Sequence, residues 1–124
     1  MKQLTLALGL AVIGLSAPVL AADKIPSQFH GFWEKAEMCE TAMEIGVPDT
    51  GAIIDSDSIS GYEASCSVEK VTQVGVNEVT VNLMCSEAEG EYKRTDNLKL
   101  YDGQFLVITY ENYEPGSRLV RCDK

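Results

Sequence analysis

The chain has 124 residues, with 10 Lys and Arg against 19 Asp and Glu and a single His, for a formal charge of -9. That length holds one small domain. The acidic balance argues against nucleic acid and anionic membrane surfaces as partners, because both require clustered Lys and Arg.

The first element is a leader. Lys2 precedes an uncharged apolar run from Leu4 to Leu15 that is too short to span a bilayer, Pro18 interrupts it, and Ala21-Ala22 has the small residues of a signal-peptidase site. The expectation is that residues 1–22 are a cleaved signal peptide, cut after Ala21 or Ala22, and that 23–124 is one domain. Loss of Lys2 leaves nine basic side chains against 19 acidic ones, a charge of -10. The cleavage site has no neighbouring Cys, so the pattern is not that of a lipoprotein, and after cleavage no membrane insertion is expected. The short leader points to the bacterial periplasm or the medium.

Beyond the leader, residues 23–27 are polar and 28–33 rich in aromatics. From Glu34 to Ile45 the composition turns to Ala, Met, Glu and Lys, with Ala36, Cys39 and Met43 on one helical stripe and Glu37, Glu40 and Glu44 outside it. A helix of about three turns is predicted, stopped by Gly46. After the loop 47–51 come strand-like runs: 52–54, 58–62, 66–74, 79–85, 91–100, 105–110 and 118–122. Asp102-Gly103 reads as a type I′ hairpin turn between Leu98/Leu100 and Phe105/Val107. Strand after strand with short links predicts a mainly β fold: a small antiparallel up-and-down barrel of about eight short strands with one N-terminal helix. Closure removes exposed edges. Leu83, Leu100, Phe105 and Val107 are expected to fill its interior.

In an oxidising compartment four Cys in a domain this small imply two disulfides. Cys66 and Cys85 lie on runs flanking Gly75-Val76-Asn77, so antiparallel pairing sets them opposite each other, and Cys39 is left to Cys122. Loop-closure entropy gives the shorter link about 3 kcal/mol and the longer somewhat over 4. The chain has no Cys-x-x-Cys pair for a metal site, and the sequence nominates no cofactor.

Gly31-Phe32-Trp33 near the mature N-terminus, a β meander, and Arg121 on the last strand together resemble the calycin superfamily of lipocalin-like barrels. The layout also resembles small exported bacterial proteins with an early Gly-x-Trp and a terminal Arg-Cys. The resemblance implies that Arg121 packs across the Trp33 indole, closing the barrel beside Gly31. A regular strand from Trp33 to Cys39 would conflict with this. Cys39 would share the face of Trp33, whereas Arg121 and Cys122 point opposite ways. A helix or bulge after Trp33 removes the conflict; an extended segment would make one disulfide pairing wrong.

Candidate chemistry is sparse. His30 has no evident nucleophile or orienting partner, and the carboxylates are scattered, so no catalytic residue is nominated and the protein is read as a non-enzyme. Asp55-Ser56-Asp57-Ser58 opens like a calcium loop, but Ser60 stands at the glycine position and Cys66 at that of the bidentate Glu. The reading is therefore an exported, monomeric binding protein. It binds or inhibits a basic protein (a hydrolase, protease or envelope toxin) through acidic surface, with Glu87, Glu89 and Glu91 in one loop and Asp55 and Asp57 in another. Calycin-like barrels include small periplasmic protease inhibitors, which fits. Ser60-Gly61-Tyr62 departs from the Ser-Gly-x-x-Tyr pattern of some lysozyme inhibitors. The alternative is a lipocalin-like carrier holding a small apolar ligand in the barrel mouth.

Overall fold

A computed structural model describes residues 21–123. Residues 1–20 of the expected leader lie outside the described residues, and its last two form a short strand.

The elements follow in order: β1 (Ala21–Ala22), a 3-10 turn (Ser27–Phe29), β2 (Gly31–Glu34), a 3-10 turn (Ala36–Met38), helix α1 (Cys39–Ile45), β3 (Ala52–Ile54), β4 (Ser58–Ser60), β5 (Ser65–Gly75), β6 (Glu78–Glu87), β7 (Gly90–Tyr101), β8 (Phe105–Tyr110) and β9 (Leu119–Arg121). Every pairing is antiparallel. From β5 the sheet runs through β4, β3, β2, β9, β8, β7 and β6, and β6 pairs back onto β5. The result is a closed up-and-down barrel of eight strands, β2 to β9. Strand β1 lies outside it, against Val71 and Thr72 on the β5 edge that β4 leaves free.

Alternation along the strands sends Val79, Val81, Leu83 and Cys85 of β6, and Leu98 and Leu100 of β7, into the interior. Opposite them stand Trp33, Ala52, Ile54 and Ile59. Each large apolar side chain so buried contributes on the order of 1.5–3 kcal/mol.

One part of the expected core is wrong. Leu83 and Leu100 are inside, but Phe105 and Val107 face outward, and Leu106 and Ile108 take the interior positions. The turn itself forms as predicted, with Asp102 at φ 55° and Gly103 at φ 67°. The Gln104 amide closes it on the Tyr101 carbonyl at 3.0 Å, but Gln104 is then an extra residue and pairing resumes at Tyr101 with Phe105. One residue of offset exchanges the two faces of β8.

Both disulfides form as expected. Uninterrupted pairing from the Gly75–Glu78 turn would set Cys66 opposite Glu87. Register shifts between Val68 and Lys70, and between Gln73 and Gly75, bring it opposite Cys85 instead. The bond lies inside the barrel, with Cys66 and Cys85 both buried. Cys39, the first residue of α1, is bonded to Cys122 just beyond β9. Because β2 ends at Glu34 and the chain turns into helix, Arg121 can face Trp33 while Cys122 points the other way. The helix is shorter than predicted, seven residues ending at Gly46 with φ 94°. Its buried side chain is Ala42, whereas Ala36, Cys39 and Met43 border an open depression outside the barrel.

Candidate functional site

The two ends of the barrel differ. At one end the segment 25–30 folds in as a plug. Phe29 and Ile25 are buried, the Ile25 amide donates to the Ser56 carbonyl at 2.9 Å, and the Trp33 indole N–H donates to the Phe29 carbonyl at 2.9 Å. His30 belongs to this plug, with Nε2–H donating to the Ile25 carbonyl at 2.8 Å. Arg121 locks it from outside. Its guanidinium lies 4.4 Å from the Trp33 ring centroid, Nε donates to the His30 carbonyl at 3.0 Å and Nη2 to the Gln28 carbonyl at 2.9 Å. Gly31, at φ 147°, makes room for it, since a Cβ there would lie 2.8 Å from Arg121 Nε.

The opposite end is open. A cavity of about 440 Å³ lies between the loop 49–51 and the turn 61–64 on one wall and Arg94 and Tyr110 on the other, with Ala52 and Ile59 beneath. A second cavity of about 330 Å³ continues from Arg94 and Tyr110 to Tyr92 and Tyr113. Four of the five tyrosines therefore stand at this mouth, Tyr62 and Tyr113 with 63% and 74% of their surface exposed. Exposed carboxylates ring them: Asp49, Glu63, Glu87, Glu89, Glu91 and Glu111.

Three charged side chains support the mouth, Asp96 and Glu34 buried and Arg94 half-buried. Arg94 and Asp96 alternate inward along β7. Nε and Nη2 of Arg94 reach the two carboxylate oxygens of Asp96 at 2.8 and 2.9 Å, and the guanidinium lies 4.7 Å from the Tyr110 ring centroid. Burial pushes the Asp96 carboxyl above its ordinary range, and Arg94 offsets only part of that. Glu34 is fully buried at the end of β2. One oxygen accepts from the Lys35 amide (2.9 Å) and the Thr50 hydroxyl, the other from the amides of Asp49 (2.7 Å) and Thr50 (3.2 Å). Burial alone would raise its pKa, but these four donors outweigh burial and hold the carboxyl below its ordinary range. Glu34 thereby fixes the loop 49–51 that forms one wall of the mouth.

The acidic residues singled out from sequence fall at opposite ends. Glu87, Glu89 and Glu91 are at the mouth, with Glu87 accepting from the Tyr92 hydroxyl at 2.8 Å. Asp55 and Asp57 are beside the plug. Asp55 Oδ1 accepts from the Asp57 and Ser58 amides and the Ser58 hydroxyl, and Asp57 pairs with Lys24 at 2.7 Å. Asp55 thus organises a turn, and the five carboxylates do not make one surface. Among the described residues no group of three or more His, Cys, Asp or Glu side chains is placed to hold a metal ion.

Sequence reasoning missed Glu34, Arg94, Asp96 and the tyrosines. Inward alternation on β7 from Leu100 through Leu98 reaches Asp96 and Arg94 and could have marked them as interior charges. The convergence of Tyr62 with Tyr110 depends on barrel closure and has no local signal. No family model, no curated protein and no solved structure matches the chain.

Proposed function

We propose that this chain is an exported, calycin-like binding protein without catalytic activity, and that it docks a basic protein at the open mouth of the barrel. The observation that carries the reading is the concentration of exposed tyrosines and carboxylates at the one end that is not plugged. Tyr supplies large, rigid contact area and is enriched among the residues that dominate binding energy. The carboxylates around it would steer a cationic partner and speed encounter at low salt. The leader, the two disulfides and the single small domain suit a rigid module working outside the cytoplasm, in the periplasm or the medium.

The carrier reading is weaker. Leucine and valine side chains occupy the interior, and the open cavity presents Arg94, Asp49 and Glu63 to whatever enters. An apolar ligand would have to desolvate those charges.

Charge reversal separates mouth from plug. The triple variant Glu87→Lys/Glu89→Lys/Glu91→Lys is expected to abolish salt-sensitive capture of a basic envelope protein, and Asp55→Lys/Asp57→Lys to leave it intact. Equal capture by the wild type and the mouth variant would refute the proposed site.

A further inference from the structure

Arg94 has more hydrogen-bonding capacity than the protein uses. A guanidinium carries five N–H groups in a fixed plane, and Asp96 takes two of them. Among the described residues no second acceptor meets full hydrogen-bond geometry with the remaining N–H groups, and the Tyr92 hydroxyl is the polar side-chain neighbour beside them. The group is nonetheless fixed in place, by the bidentate contact on one edge and the Tyr110 ring at 4.7 Å on its face. Its side chain keeps 21% of its surface exposed, and it borders the 440 Å³ mouth cavity. A planar fork held rigid with a free edge is a receptor for a carboxylate.

Across the same cavity stand Asp49 and Glu63, both exposed and neither in an ion pair among the described residues. A simple anion entering here would meet two carboxylates and the acidic rim, and a simple cation would meet Arg94. A ligand carrying both charges satisfies both walls. Tyr62 and Tyr110 offer aromatic faces for its remaining atoms, and Ala52 and Ile59 form an apolar floor. The volume lies at the lower end of the range for small-molecule sites.

We infer that the mouth cavity is a binding site for a small zwitterion, a free amino acid or a dipeptide, with its carboxylate on the free edge of Arg94 and its ammonium toward Asp49 and Glu63. This site lies inside the rim, and its occupancy does not depend on a protein partner.

The test uses the oxidised protein and a panel of free L-amino acids and glycyl dipeptides, with binding followed by calorimetry and by NMR of the Arg94 Nε–H. At least one member is expected to bind with a Kd of about 1 mM or tighter. Amidating its carboxylate or acetylating its amine should weaken it by about tenfold or more, as should Arg94→Lys, which keeps the charge but loses the fork. Glu63→Gln should weaken it several-fold, and Asp55→Asn should change nothing. If Arg94→Lys does not fold by near-UV circular dichroism, the double variant Arg94→Gln/Asp96→Asn, which removes both charges of the pair together, replaces it with the same expected loss. Failure of every member to bind at about 10 mM, or binding indifferent to amidation and to Glu63→Gln, overturns the inference.

Discussion

Glu34→Gln isolates the contribution of one buried carboxylate to the wall of the mouth. Glutamine keeps one acceptor oxygen and replaces the other with an NH2 group that cannot accept. The less costly orientation retains the oxygen facing the Asp49 and Thr50 amides and turns the NH2 toward the Lys35 amide and the Thr50 hydroxyl. The hydroxyl can reverse and accept, but the Lys35 amide cannot, and one orphaned buried donor costs about 1–3 kcal/mol. The two bonds that survive are no longer charge-assisted, which adds about 1 kcal/mol. The expected loss is about 2–4 kcal/mol, read as a lower urea midpoint at unchanged slope with both disulfides intact. The effect has a defined pH dependence. The Glu34 carboxyl has a lower pKa folded than unfolded, so its stabilisation is complete above the ordinary carboxylate range and is lost as pH falls through the folded value below that range. The gap between wild type and variant should therefore narrow in acid. A loss below about 0.5 kcal/mol at neutral pH, or a gap that widens on acidification, would mean that the Glu34 carboxylate does not hold the loop through these bonds.

Other expectations follow from the packing. A Cβ at Gly51 would lie 1.9 Å from the Trp33 carbonyl oxygen, whereas one at Gly46 would meet nothing within 4 Å. Gly51→Ala should therefore cost well over the roughly 1 kcal/mol that positive φ imposes at Gly46→Ala, as compared by thermal unfolding. Gly31→Ala should displace Arg121 from the indole, lower stability by about 1–3 kcal/mol and alter the emission of Trp33, the only tryptophan in the chain. Removing the link across 83 residues with Cys39→Ser/Cys122→Ser should lower the unfolding free energy by about 4–5 kcal/mol. Denaturant titration of the double variant measures it.

What could be read from the sequence was mostly local. Alternation, turn residues and cysteine spacing are short-range signals, and they led to the barrel, its helix and both disulfides. The interior of β8 is not legible in the sequence because a turn type alone does not fix the register. Gln104 adds one residue after the Asp102-Gly103 turn, and nothing in its chemistry announces whether it joins the ladder. The mouth was hidden for a different reason. Residues 49–52, 59–64, 94 and 110 meet only when the barrel closes, and a charge such as that of Asp96 carries no local sign that its position faces inward. Acidic residues grouped by sequence, Glu87 to Glu91 and Asp55 to Asp57, prove to be divided between the two ends. Net charge gives no information about where on a barrel the charge lies.

The proposed docking of a basic protein at the tyrosine-lined mouth is tested by side-by-side capture from the native envelope fraction at low and high salt, using the oxidised wild type and Tyr62→Ala/Tyr113→Ala. The wild type is expected to retain a basic protein at low salt and release it at high salt, and the variant, folded and with both disulfides formed, to lose about tenfold or more of that retention. Retention of no basic protein, or equal retention by the two, would contradict it.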